Sequence, residues 1–319
     1  MKTKIFTVAI LVAMLFNGCS NNKTASSEGE MKGTITISGA FALYPLATKW
    51  GEEFTKKYPN VRFDISAGGA GKGMADALSN MVDIGMVSRE INEEEIKKGA
   101  WFIPVSKDAV VPMINEKNPL CKELLSKGVS KETFAKIFIT EEIKNWGAVI
   151  GKADKNSMKV YTRSDACGAA DVWAKYMGKK QEDLKGTGVF GDPGLAEAVR
   201  NDVLGIGFNN ICYAYDMKTG TVNSGLRILP LDINGDGKIT EDENFYQTKN
   251  DLVKAIYANK FPSPPSRDLY LVCNGKPQDK KLVMAFLNWV LTEGQTFVES
   301  SGYIKITEEK LKQAIEKAK

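Results

Sequence analysis

Arg163 stands four residues ahead of Cys167-Gly168-Ala169, in the run VYTRSDACGAADVWAKYM that covers residues 160–177. A guanidinium after a strand, then a turn of small residues, then a helical pattern, is a set of groups suited to an oxyanion. The guanidinium offers two parallel N–H donors. The first turn of a helix offers unpaired amides at the positive end of its dipole. Two other stretches repeat the layout of strand, small-residue turn and helix start: 35–50 (ITISGAFALYPLATKW) and 63–78 (FDISAGGAGKGMADAL). Three such ends from distant parts of one chain suggest a converging anion cradle. The turns lack hydroxyls, because Ala40, Ala42, Ala70, Cys167 and Ala169 stand where Ser or Thr usually serves an anion. The competing reading of Arg163 is a surface ion pair with Asp165 or Asp171. Ser88-Arg89 ends another strand in the same way, with Glu90 as the competing partner.

The most specific local motif is DINGDGKITEDE at 232–243. It has oxygen-bearing residues at positions 1, 3, 5, 9 and 12 and glycine at position 6, as a Ca²⁺ loop of EF-hand type requires. Asp232, Asn234, Asp236, Thr240 and Glu243 would supply side-chain oxygens and Lys238 its carbonyl. A strand-like run precedes the loop and there is no second loop to pair with, so a plain Asp/Asn/Gly turn competes with the metal site. A structural Ca²⁺ ion is the one cofactor the sequence admits. GGAGKG at 68–73 is not a nucleotide loop: Gly73 follows Lys72 where Ser or Thr is required, and Ser66 stands where the first glycine belongs.

The chain contains no histidine. That excludes Ser-His-Asp and Cys-His catalysis and His-ligated zinc. No nucleophile and base pair assembles around Cys167 without it, a carboxylate base being the one alternative left open, and the chain is read as a non-enzyme. With 43 basic and 39 acidic side chains the charge is nearly balanced, and no basic stripe with interleaved aromatics suggests nucleic acid.

These groups need a scaffold, and short apolar runs alternating with helical patterns from residue 34 onward predict an α/β fold with a largely parallel sheet. The apolar stretch 101–115, broken by Pro104 and Pro112, can carry the chain from one lobe to another, and a return crossing falls near 262–270. The expected organisation is lobe 1 over 33–110 and 268–319, and lobe 2 over 111–267. Residues 1–18 read as an export signal: Lys2 and Lys4 precede an apolar run too short to span a bilayer. Gly18-Cys19 resembles a lipoprotein signal, with Cys19 acylated and 19–32 a polar, flexible tether. An ordinary cleaved signal with a chance cysteine is the alternative. Cys121, Cys167, Cys212 and Cys273 show no metal spacing, and free thiols are expected.

Taken together the motifs resemble the phosphate-binding proteins of bacterial ABC importers, of the type II periplasmic binding fold. The resemblance is carried by Gly39 with Tyr44-Pro45-Leu46 and Trp50, by 68–73, by Asp83-Ile84-Gly85 with Ser88-Arg89, and by 163–168. Ile137-Phe138 with Asn145-Trp146 and Gly205-Ile206-Gly207 add to it. It implies two lobes that close on one oxyanion, phosphate first, which a membrane permease then takes from a monomeric, exported, membrane-anchored lipoprotein facing the periplasm or cell surface. By position the implied site is Ala40, Phe41, Ala70, Ser88, Arg89, Arg163, Cys167, Gly168 and Ala169. Where the family has Ser-Gly-Thr, this chain has Cys167-Gly168-Ala169. A hydrogen bond to a charged group is worth roughly 1.5–3 kcal/mol. Loss of several hydroxyls therefore predicts weak or altered anion preference. The alternative is a surface lipoprotein that keeps the fold but acts as a sensor or protein-interaction partner.

Overall fold

The computed structural model describes residues 31–153 and 156–319. Cys19, the export signal and most of the proposed tether lie outside the described residues. The first half of the chain alternates as expected: β1 (Gly33–Gly39), α1 (Tyr44–Lys57), β2 (Val61–Ala67), α2 (Ala70–Leu78), β3 (Ile84–Val87) and the short α3 (Glu93–Lys97). The long β4 (Ala100–Asn115) leads to α4 (Cys121–Lys127), β5 (Val129–Ser130), α5 (Lys131–Phe138) and α6 (Trp146–Ile150). Next come β6 (Lys159–Arg163), α7 (Gly168–Tyr176), β7 (Thr187–Val189), α8 (Gly191–Asn201), β8 (Gly205–Asn210) and α9 (Ile211–Ala214). The chain continues through β9 (Leu226–Ile228), β10 (Leu231–Asp232) and α10 (Lys249–Tyr257), then β11 (Ser266–Asn274), α11 (Lys281–Leu291), α12 (Thr296–Ser300) and α13 (Glu308–Ala318).

The main sheet runs β2-β1-β3-β11-β4-β8-β6-β7, with β9 also on β4. Strands pair in parallel at both ends, β1 with β2 and β3, and β6 with β7 and β8. The middle is antiparallel, because β11 runs against both β3 and β4, and β4 against β8 and β9. A largely parallel sheet is therefore right for each end and wrong for the middle. The cause is that chain crossing from one lobe to the other and chain returning must run in opposite directions. β4 changes partner along its length: Ala100 to Ala109 pair with β11, and Val110 to Ile114 with β8.

Two separate groups of buried apolar residues sit on either side of these strands. One gathers Trp50 and Phe54 of α1 with Phe286 and Trp289 of α11; the Trp50 indole N–H reaches the Gly294 carbonyl at 2.8 Å. The other stacks Trp173 of α7 on Phe208 of β8, with centroids 5.8 Å apart, and packs Phe134 and Phe138 of α5 around them. Each lobe thus anchors its helices on its own aromatic core. The ends of β1, β2 and β6 are left to face one another.

Candidate functional site: the junction of three helix starts

The three small-residue turns meet. The Gly71 amide of α2 donates to the Ala166 carbonyl before α7 at 3.0 Å. Gly168 packs on Ser88 so closely that a Cβ would run into the Ser88 carbonyl and hydroxyl oxygens. Only glycine permits that approach. Phe41, ahead of α1, lays its ring 5.5 Å from the Arg163 guanidinium carbon and meets Phe190 edge-on with centroids 5.9 Å apart.

Within this junction the helix starts differ. The Ala40 amide is taken by the Met86 carbonyl at 2.9 Å, and those of Gly68 and Gly69 by the Gly39 carbonyl. Gly69 caps α2 at φ +95°, a backbone conformation that favours glycine. Ala70 is fully buried. In the second lobe Cys167 is the N-cap of α7, and its sulfur accepts the Ala170 amide at 3.3 Å. The Cys167 amide goes to Gln181 Oε1 at 3.1 Å. The amides of Gly168 and Ala169, the first two residues of α7, have no acceptor among the described residues. Burial pushes the Cys167 thiol up to about 12, so it stays neutral and is no nucleophile at ordinary pH.

Arg163 ends β6 with a fully buried side chain. Its Nε and Nη2 donate to the two oxygens of Asp165 at 2.9 and 2.6 Å. Its Nη1 lies 2.9 Å from Asp192 Oδ1, but not in hydrogen-bonding alignment, so this buried donor has no acceptor. Burial works against the guanidinium charge; Asp192 and Asp165 outweigh it and raise the Arg163 pKa. The ion pair anticipated with Asp165 thus exists, but in the interior, and Asp171 instead faces Lys175.

Asp192 Oδ1 accepts Asn210 Nδ2 at 2.7 Å. Arg267 of β11 donates to Asn210 Oδ1 and, at 2.6 Å, to the Gly168 carbonyl. Arg267 Nη2 also lies 3.5 Å from Asp108 of β4. Burial raises the Asp108 pKa to about 6 despite Arg267. It raises Asp192 as well, with Arg163 and Arg267 offsetting only part of the effect. The junction therefore rests on a buried chain of two guanidiniums and three carboxylates that ties both crossing strands to the start of α7. Asp108, Asp192, Asn210 and Arg267 are not among the residues singled out from sequence. A lone acid inside the apolar stretch 101–115 was the available signal for Asp108.

Arg89 is committed to α3. Its Nη1 and Nη2 donate to the two oxygens of Glu95 at 3.0 and 2.6 Å, and Glu95 also closes the capping box of α3 with Asn92. Its pair is thus Glu95 rather than Glu90, although Nη1 also reaches the Glu90 carbonyl. Ser88 lies in the contact, 2 % exposed. Lys72 pairs with Asp76 one turn along α2.

The 232–243 loop is satisfied internally. Glu243 Oε1 accepts the amides of Ile233 and Asn234 at 2.8 and 3.2 Å, and its Oε2 accepts Thr240 Oγ1 at 2.9 Å. Asp232 accepts the amides of Gly235 and Gly237, Asn234 that of Asp236, and Asp236 that of Lys238. Among the described residues no group of three or more His, Cys, Asp or Glu side chains is arranged to hold a metal ion. The four described cysteines are free, and no helix among the described residues is long and apolar enough to cross a membrane.

The sequence pattern of the PBP superfamily domain matches residues 24–293. The chain is 33% identical over 157 residues, about half of each protein, to the phosphate-binding protein PstS of Bacillus subtilis (strain 168). It is 26% identical over 310 residues, 94% of this chain and 88% of the relative, to the phosphate-binding protein PstS of Staphylococcus saprophyticus. A structure of a phosphate ABC transporter substrate-binding protein with bound phosphate from Clostridium perfringens superposes with a TM-score of 0.66 at 22% identity. It covers 86% of this chain and 100% of that one. An ABC-type phosphate transport receptor from Vibrio cholerae superposes with a TM-score of 0.60 at 19% identity, covering 85% of this chain and all of that one. The resemblance read from the motifs therefore holds, the two-lobed architecture is that of the periplasmic binding proteins, and the chain belongs to the PBP superfamily.

Proposed function

We propose that this chain is the solute-binding component of an ABC importer, and that it takes phosphate or a related oxyanion at the junction of its lobes with weakened or altered preference. The observation that carries the reading is the start of α7: the Gly168 and Ala169 amides have no acceptor among the described residues, and the buried Arg163, which faces Cys167 at the cap, keeps Nη1 in an ion pair with Asp192 without hydrogen-bonding it. Backbone amides and a guanidinium suffice to hold an anion. The Ala70, Cys167 and Ala169 side chains add no hydroxyl, and Ala40 has its amide committed. With hydrogen bonds to a charge worth roughly 1.5–3 kcal/mol each, affinity should fall from the micromolar towards the millimolar range. In this reading Cys19 carries the lipid anchor and a permease receives the ligand.

The test is calorimetric titration of the full chain with phosphate and with sulfate. Binding weaker than micromolar, abolished by Arg163→Lys, is the expected result. Submicromolar phosphate binding would refute the altered preference and keep the fold. No binding of either anion would favour the sensor or interaction role, for which the internal pairing of Arg163 also speaks.

For the 232–243 loop the calcium reading is a separate proposal, supported by its oxygen spacing alone. A melting temperature unmoved by millimolar Ca²⁺ would retire it.

A further inference from the structure

An oxyanion arriving at the start of α7 meets a guanidinium that already faces a carboxylate. We propose that Asp192 is a specificity-determining residue of the junction, an internal counter-anion that yields Arg163 Nη1 to the ligand by taking up a proton as the oxyanion binds. This inference rests on the oxyanion reading above. It begins from geometry. Asp192 sits 2.9 Å from Nη1 without bonding to it, and its Oδ1 is held by Asn210 instead. The contact is thus electrostatic, without the alignment that would make it a committed hydrogen bond, and an anion oxygen can replace it.

Charge count gives the second step. Asp192 is faced by Arg163 of β6, Asp165 after it, Arg267 of β11, Asp108 of β4, Cys167 at the start of α7, and Cys212 and Tyr213 of α9. Burial pushes both thiols and the Tyr213 phenol upward, so these three stay neutral. Three carboxylates then face two guanidiniums, and the cluster is already short of positive charge. A dianion adds to that deficit in a site with little solvent to spread it. The least costly relief is protonation of a carboxylate already disposed to accept a proton. Asp192 is 2 % exposed, and burial has moved its pKa upward before any ligand arrives. The proton comes from solvent and adds to the Asp192 carboxylate, and no other covalent bond is made or broken. Asn210 keeps its acceptor on the neutral acid.

The consequence is that the cleft discriminates by pH and by ligand charge. Anion affinity rises as pH falls, by up to about tenfold per pH unit where one proton is taken up. The probe of choice is sulfate, which remains fully ionised across the range and brings no proton of its own. The full chain is titrated near pH 5.5 and near pH 7.5 in buffers of different ionisation enthalpy, so that the heat reports protons taken up. Close to one proton per bound sulfate is expected at the higher pH. Asp192→Asn keeps the shape and the Asn210 contact, and should bind sulfate about tenfold tighter near pH 7.5 with no proton uptake. Asp108→Asn should retain the uptake. If phosphate binds and sulfate does not, the readout becomes the difference in protons taken up between wild type and Asp192→Asn. Sulfate or phosphate binding without an Asp192-dependent proton overturns this role and leaves the oxyanion site standing; so does uptake that disappears in Asp108→Asn instead. Binding of neither anion by any of the three proteins removes the oxyanion site and this inference with it. The wild-type proton count needs no variant to fold.

Discussion

The starts of α2 and α7 have the same local recipe, a strand followed by a turn of small residues and a helix, and they do different work. At α2, Gly68 and Gly69 give their amides to the Gly39 carbonyl and Gly71 gives its amide to Ala166 across the cleft. One amide of that helix start, Gly71, ties the two lobes together, while those of Ala70 and Lys72 have no acceptor among the described residues. At α7, Cys167 caps the helix through its sulfur, while Gly168 and Ala169 keep their amides. Arg163, which faces Cys167, holds one buried donor in an ion pair with Asp192 but out of hydrogen-bonding alignment. The same dipole end can close a joint or receive a ligand, and the difference here lies in the Gly71 amide, which the Ala166 carbonyl takes.

The largest test of that contrast removes Arg163. Arg163→Ala leaves Asp165 and Asp192 buried without their common partner, which should cost about 3–5 kcal/mol in denaturant unfolding. Arg163→Lys keeps a charge but not the fork, so it should fold and lose anion binding. Stable, normally binding Arg163→Ala protein would show that the anion does not depend on the guanidinium at the start of α7.

The next effect is one of pH. Asp108 has its folded-state pKa raised to about 6 by burial. A carboxylate so raised contributes stability that is fully present below its unfolded value and is lost as pH rises through the folded one. Wild type should therefore lose on the order of 2–3 kcal/mol from this group between about pH 4 and pH 6.5. Lowered carboxylates such as Asp83 and Glu95 act in the opposite direction in both proteins. The readout is thus the difference in pH slope between wild type and Asp108→Asn. Equal slopes would mean that Arg267 fully offsets burial and that the Asp108 pKa is not raised.

A gain of function separates the two helix starts more directly. Ala169→Ser puts a hydroxyl where α7 has free amides, and one hydrogen bond to a charged ligand should tighten phosphate by about tenfold. Ala70→Ser places the same group at the start of α2, where the neighbouring Gly71 amide is committed to the Ala166 carbonyl, and should change affinity by less than about threefold. Equal gains at both positions would erase the distinction.

Much of this arrangement was legible in the sequence because it is local. Arg163, the glycine turn and the helix pattern lie within one segment, and the three turns meet as their shared layout suggested. What escaped is long-range. Asp192 faces Arg163 from the next βα unit, and Arg267 comes from the returning crossing strand. Neither has a local pattern that marks it. The antiparallel centre of the sheet escaped for the same reason, since strand runs disclose periodicity but not direction. Arg89 shows the converse. Its position after a strand suggested the site, but the nearby capping box of α3 presents Glu95 at the right place to hold it.

That placement yields the smallest expected effect and a sharp one. Arg89→Gln removes a two-point pair with Glu95 that is partly open to solvent, with side chains 17% and 13% exposed. The stability cost should be about 1 kcal/mol, because Glu95 can still turn to water and keep its bond to the Asn92 amide. Anion affinity should change by about twofold or less, since a guanidinium already paired with Glu95 adds little to a buried anion. The measurement is the same phosphate titration used for Arg163. A loss of tenfold or more would mean that Arg89 leaves Glu95 and swings into the cleft when ligand binds, giving the first lobe a cation to match Arg163. The α2 side of the junction would then be a partner in binding, and the division of labour between the two helix starts would have to be redrawn.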